Sequence, residues 1–130
     1  MIERAFYKIR IISAVLALLF LGRASFAGPV MRWTANGLAV CNAAGNQSGP
    51  STVTDSSGST IIMWQDNRGA NSDIYVHKLD VNGTALWGLN GVSVCSATAD
   101  QNAAAMASDG SNGAIMMWID NRNGVNNSDL

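Results

Sequence analysis

The stretch Thr60-Ile61-Ile62-Met63-Trp64-Gln65-Asp66-Asn67-Arg68 decides the fold, because it returns as Ala114-Ile115-Met116-Met117-Trp118-Ile119-Asp120-Asn121-Arg122. Each copy is a short apolar run without alternation that ends on Asp-Asn-Arg, the pattern of a strand covered on both faces. Working outward at the offset that lays Trp64 on Trp118, Trp33 falls on Trp87, Asn36-Gly37 on Asn90-Gly91, Val40-Cys41 on Val94-Cys95, Gln47 on Gln101 and Asp55 on Asp109. Residues 33–69 hold 15 identities in 37 positions at this one offset, several of them at Trp and Cys. A fixed period of about 54 residues marks a repeat architecture, in which each unit buries its faces against its neighbours. After Arg122 two residues are inserted, and Asn71-Ser72-Asp73 then matches Asn127-Ser128-Asp129.

Within one period the sequence predicts four short strands: one near Ser51 to Thr54, one at Thr60 to Gln65, one at Asp73 to Leu79, and one running around Ala85 to Trp87 and Val92 to Cys95. The third strand is expected to be partly exposed, with Ile74, Val76 and Lys78 on one face and Tyr75, His77 and Leu79 on the other. The same reading places an outer strand of a preceding unit at Leu38 to Cys41, and two strands of a following one at Ala103 to Ser108 and Ala114 to Ile119. Asp55-Ser56-Ser57-Gly58, Asp66-Asn67-Arg68-Gly69 and Asp80-Val81-Asn82-Gly83 separate the strands and supply residues that accept turn dihedrals. No helical period follows residue 27. The fold class expected is therefore all-β, built of antiparallel four-stranded blades.

Trp64, Asp66 and Arg68, then Asp73-Ile74-Tyr75, Asn82-Gly83, Leu86-Trp87 and Gly91-Val92-Ser93-Val94-Cys95 together resemble the tandem β-propeller repeats of secreted and surface-attached bacterial proteins. Those repeats look like W-x-D-x-R, D-I-Y, L-W and G-V-x-V-C in that order, and the resemblance covers about residues 30–130. It implies a propeller fold and a module of a larger extracellular protein. A propeller needs at least four blades, roughly 216 residues at this period, and residues 28–130 supply fewer than two repeats (about 33–86 and 87–130). The expectation is an incomplete propeller, one full blade with parts of two others, as a fragment of a longer protein. The face formed by Ile61 to Trp64 is expected to lack its second neighbour.

The chain has 130 residues, 48% of them hydrophobic and 13% charged, with a net charge of −1. Arg4, Lys8 and Arg10 precede the apolar run Ile11 to Leu21, and Ser25 and Ala27 place small residues before a cut at Gly28. Residues 1–27 thus read as a secretory signal peptide, since the run is too short to span a bilayer. The product is expected to be secreted, periplasmic or at the cell surface. Residues 28–130 carry four cations against eight aspartates, an acidic balance that excludes a polyanion-binding surface, so no nucleic-acid partner is expected. No run after Ala27 is long and apolar enough to cross a bilayer, so no membrane span is expected in the mature chain.

Asp66, Arg68, Asp120 and Arg122 are the candidate site, as a binding face or as a structural turn. A row of carboxylates and guanidiniums can take a sugar or a carboxylate bidentately. The structural reading has each Asp cap backbone N–H groups while each Arg packs on or near the Trp, and it gives Asp66→Ala a cost of roughly 1 to 2 kcal/mol. Cys41 and Cys95 occupy the same position of successive units, and sheets stacked about 10 Å apart exceed the roughly 7 Å reach of a disulfide, so two buried free thiols are expected. His77 is the only histidine and no Cys-x-x-Cys occurs, which leaves no metal set of the usual kind. No catalytic residue, cofactor or metal is assigned. The chain reads as a non-catalytic structural or interaction module whose partners are an unknown protein or carbohydrate ligand and further repeats or other copies of the chain; the alternative is part of a propeller glycosidase or lyase whose catalytic residues lie elsewhere.

Overall fold

A computed structural model describes residues 33–130; the expected signal peptide at residues 1–27 lies outside the described residues. The described chain is all-β and antiparallel: β1 (Gln47–Thr54), β2 (Thr60–Asp66), β3 (Asp73–Leu79), β4 (Val92–Cys95), β5 (Gln101–Ser108) and β6 (Ala114–Asp120). Strands β1 to β4 form a four-stranded sheet in chain order, and β5 pairs with β6 in a second sheet. Among the described residues no helix is long and apolar enough to cross a membrane.

The two hairpins share a register. Gln47 lies opposite Asp66 and Thr54 opposite Thr60 in the first, with an irregularity between Ser48 and Ser51. In the second, Gln101 lies opposite Asp120 and Ser108 opposite Ala114, with the irregularity between Asn102 and Ala105. These are equivalent positions of successive repeats, and in both hairpins an Asp opens the turn. Asp55 Oδ1 accepts from the backbone N–H groups of Ser57 at 2.8 Å and Ser59 at 3.0 Å. Asp109 Oδ1 accepts from Ser111 at 2.7 Å and Gly113 at 3.1 Å. An Asx turn of this kind fixes the loop by hydrogen bonds internal to it.

Alternation along β2 divides its apolar run between two cores. Ile61 and Met63, with Ile74 and Val76 of β3, form a cluster against which Ala104, Met106, Ala114, Met116 and Trp118 of the second sheet pack. Ile62 and Trp64, with Leu79, form a cluster on the opposite face that Val40, Cys41 and Tyr75 cover. Hydrogen bonds join the sheets at both ends. At one, Ser56 N donates to Ser111 O at 2.9 Å and Ser56 Oγ to Asn112 Oδ1 at 2.9 Å. At the other, Gln101 N donates to Ser72 O at 2.7 Å and Ser72 N to Asp100 Oδ1 at 2.9 Å.

Several expectations need correction. Leu38 to Cys41 is not a strand: β4, its counterpart in the next repeat, is paired by β3, and among the described residues no strand precedes residue 38 to do the same. The fourth strand is limited to β4, because Ala85 makes a single bridge to Leu79 and the chain then turns away. β1 begins at Gln47, earlier than the apolar pattern indicates, since Gln47 and Ser48 pair across from Asp66 and Gln65. β3 is buried from Val76 to Leu79, because one face meets the second sheet and the other lies beside Ile62 and Trp64. The Ile61 to Trp64 run is covered on both sides, the second cover being the chain around Val40 and Cys41. The uncovered face belongs to the second sheet, where Ile115 is 66% and Met117 52% exposed.

One glycine is fixed by packing. Gly91 has φ of +75°, and a Cβ there would lie 2.5 Å from Trp64 Cη2 and 2.7 Å from Val76 O. Gly37, its counterpart, has φ of +84° with nothing within 4 Å. Gly91→Ala is expected to lose about 3 kcal/mol from overpacking and left-handed strain together, whereas Gly37→Ala should lose about 1 kcal/mol from the dihedral alone. Denaturant midpoints of the two variants check the difference.

Candidate functional site

Asp66 ends β2, and the alternation that turns Trp64 to the Val40–Cys41 side turns the Asp66 side chain the same way. Its carboxylate is fully buried and saturated. Trp64 Nε1 donates to Oδ2 at 2.7 Å, Arg68 N to Oδ1 at 2.9 Å, and Arg68 Nε and Nη2 close a bidentate pair at 2.9 and 2.6 Å. Arg68 Nη2 also reaches Asn90 O at 2.8 Å and Cys41 Sγ at 3.4 Å. The guanidinium lies over Tyr75, 3.8 Å from the ring centroid, a cation–π stack. The Arg therefore packs on Tyr75 and not on the Trp, whose indole N–H is engaged by the Asp. Tyr75 reaches this position because it sits opposite Trp64 in the β2–β3 register.

The charges follow from these contacts. Burial pushes the Asp66 carboxyl up, but the hydrogen bonds from Arg68 and Trp64 outweigh it and hold the group at about 2, below the usual carboxylate range. Arg68 is pushed up by Asp66. Asp73 lies directly opposite Asp66; burial, then the Asp66 charge, pushes its carboxyl up. Two carboxylates thus share one end of the β2–β3 pair with a single guanidinium, and only Asp66 is bonded to it.

The second pair repeats the first in outline. Asp120 accepts from Arg122 N at 3.0 Å and Nε at 2.9 Å, and also from Arg122 Nη2. The Arg122 hydrogen bonds hold its carboxyl well below the usual range. Arg122 Nη2 stands 3.7 Å from Cys95 Sγ, the counterpart of Cys41. Here the clasp is more open: the Arg122 side chain is 50% exposed against 23% for Arg68. A 420 Å³ hollow lined by Trp118, Asp120, Arg122, Asn123 and Asp129 adjoins it. The two pairs sit in different sheets, and among the described residues no hydrogen bond or ion pair joins one to the other. Each closes on itself.

Both thiols are free, and they are half-buried instead of buried, because each sits at the rim of a clasp where its sulfur meets the guanidinium. Sequence reasoning missed this coupling of Cys41 to Arg68, although the equal spacing of Cys and Arg in both units was a readable signal. It also missed Lys78. The Lys78 ammonium pairs with Asp55 at 2.6 Å, donates to Asn112 O at 2.9 Å and lies 5.9 Å from the Trp87 ring centroid. It thereby ties β3 to both hairpin turns. The link depends on Ile61 lying opposite Lys78, which turns this one charged side chain toward the second sheet.

No family model, curated protein or solved structure matches the chain.

Proposed function

We propose that residues 33–130 are a stretch of β-propeller, with β1 to β4 as one blade and β5–β6 as the inner strands of the next, in an exported chain whose residues 1–27 are removed. The module is non-catalytic and works as a structural or interaction element, completed by further repeats or other copies of the chain and presented to a protein or carbohydrate ligand. The observation that carries this reading is the stacking of the β5–β6 sheet on the β1–β4 sheet, with hairpin registers that are equivalent from one repeat to the next. The polar residues that recur, Asp66 with Arg68 and Asp120 with Arg122, are turned onto each other and onto the cysteine of their own unit. In this role they lock the end of a strand, which every unit of a stack requires. A ligand would meet the outer loops and the half-exposed Arg122 in preference to Asp66.

Two measurements test the reading. N-terminal sequencing of exported material should begin at or near Gly28, and an intact Met1 in a soluble extracytoplasmic product would contradict export by cleavage. A chain extended by tandem copies of residues 55–108 should scatter X-rays as a closed disc once enough units are present for a ring. A rod that lengthens with every added copy would show a solenoid instead and sink the propeller assignment.

A further inference from the structure

Val40, Cys41, Pro50, Ile62 and Trp64, with Gln47, line a 250 Å³ hollow on the face of the four-stranded sheet that looks away from β5–β6. The counterparts of these residues in the next repeat include Cys95, Ala104, Met116 and Trp118. All four are packed, and what packs on them is the face of Ile61, Met63, Ile74 and Val76. The interface between the two sheets therefore shows what a hollow of this composition receives: the β2 pair Ile61 and Met63, two residues apart, together with Ile74 and Val76 of β3. The same chain carries that pair a second time. Ile115 and Met117 are the counterparts of Ile61 and Met63, stand two residues apart on β6, and are 66% and 52% exposed. Among the described residues nothing sits in the mouth of the hollow, the socket, above Val40 and Cys41, and nothing covers Ile115 and Met117, the plug.

We infer that a second copy of this chain docks head to tail on the first, seating its Ile115–Met117 face in the hollow formed by Val40, Cys41, Pro50, Ile62 and Trp64. The inference deepens the proposed interaction role and rests on the stacked-sheet reading. A second copy is the occupant because its Ile115 and Met117 repeat, at the same spacing, the Ile61 and Met63 that pack on the equivalent residues within the chain. Apart from the uncharged Gln47 and Ser48 the lining of the hollow is apolar, so no charge in it opposes the contact. Such a contact is heterologous: each pair of copies leaves one socket and one plug free, so association continues until a ring closes or a filament grows.

Sedimentation and light scattering of the exported full chain test it. The wild type should show a mass that rises with concentration beyond the dimer. Met117→Glu, which blocks the plug, and Pro50→Glu, which blocks the socket, should each be monomeric. An equimolar mixture of the two should give a one-to-one dimer and nothing larger, since one intact plug and one intact socket remain. Circular dichroism and a melt establish that each variant is folded, and Met117→Ser replaces Met117→Glu if the charge prevents folding. A wild type that stays monomeric up to its solubility limit, a folded single variant that still associates, or a mixture that stays monomeric would each overturn the docking. If that monomeric wild type melts cooperatively, the stacked-sheet reading survives the loss of the docking; a chain with no cooperative melt would overturn both.

Discussion

Asp66→Ala is expected to destabilise the chain by about 3 kcal/mol, the low end of what removing one partner of a buried ion pair costs. The structure raises the figure above that for a simple cap because the carboxylate is fully buried and holds together four donors. Without it the Trp64 indole N–H and the Arg68 guanidinium lose their common acceptor, and Arg68, with some access to water, limits the loss. Asp66→Asn keeps an acceptor for Trp64 but no charge, so its melting temperature should fall between those of wild type and Asp66→Ala. Asp120→Ala should lower stability by less, because the Arg122 side chain is half exposed. The pH dependence has the same origin. A carboxyl held below its unfolded value contributes stability that is present above about pH 4 and is lost as pH falls toward the folded value. Asp66 titrates near 2 in the folded chain, so part of the acid destabilisation below about pH 4 should disappear in Asp66→Ala. Equal melting of wild type and Asp66→Ala, in folded samples, would assign these residues to a ligand and not to the strand end.

The second large effect separates two methionines that the sequence makes equivalent. Met63→Ala should lose about 3 kcal/mol, because Met63 is fully buried between the sheets and truncating a core side chain adds a cavity to the lost transfer free energy. Met117→Ala should change stability by less than about 0.5 kcal/mol at concentrations where the chain is monomeric, since that side chain is 52% exposed. Urea denaturation of both variants checks this. Equal losses would mean that the face of the second sheet is covered within the chain, and equal small changes would mean that the sheets do not pack.

Much of this fold is legible in the residues. The limits of β3 follow from Asp73-Ile74-Tyr75 and the Asp80 turn, because a turn chemistry that is local to the chain bounds it; β2 and β6 start where the apolar runs indicate but run one residue further, to Asp66 and Asp120, each of which pairs across the hairpin. Which face of a run is covered is a different matter. Ile61 and Ile115 are the same residue in the same pattern, yet one is sealed and the other is largely exposed; the difference lies in what stacks on each sheet. Leu38 to Cys41 has the sequence of a strand but, among the described residues, no strand to pair with, and Val40 and Cys41 pack their side chains on Ile62 and Trp64 without a ladder. The candidate site divides along the same line. That Asp66 and Arg68 belong together is readable from their spacing and repetition. The place of Tyr75 beneath the guanidinium, and of Cys41 beside it, arises from cross-strand register and from the path of the chain before β1.

Hydrogen exchange at two backbone amides tests the stacking of repeat sheets most directly. Ser56 N is bonded to Ser111 O at 2.9 Å and Gln101 N to Ser72 O at 2.7 Å, each across the two sheets and at opposite ends of the interface. If the second sheet is docked as described, both amides should exchange as slowly as those in the middle of β2, opening only with the whole unit. Fast exchange at Ser56 and Gln101 beside slow exchange in β2 and β3 would contradict the account, because it would leave a four-stranded sheet that folds while the β5–β6 hairpin stands apart from it.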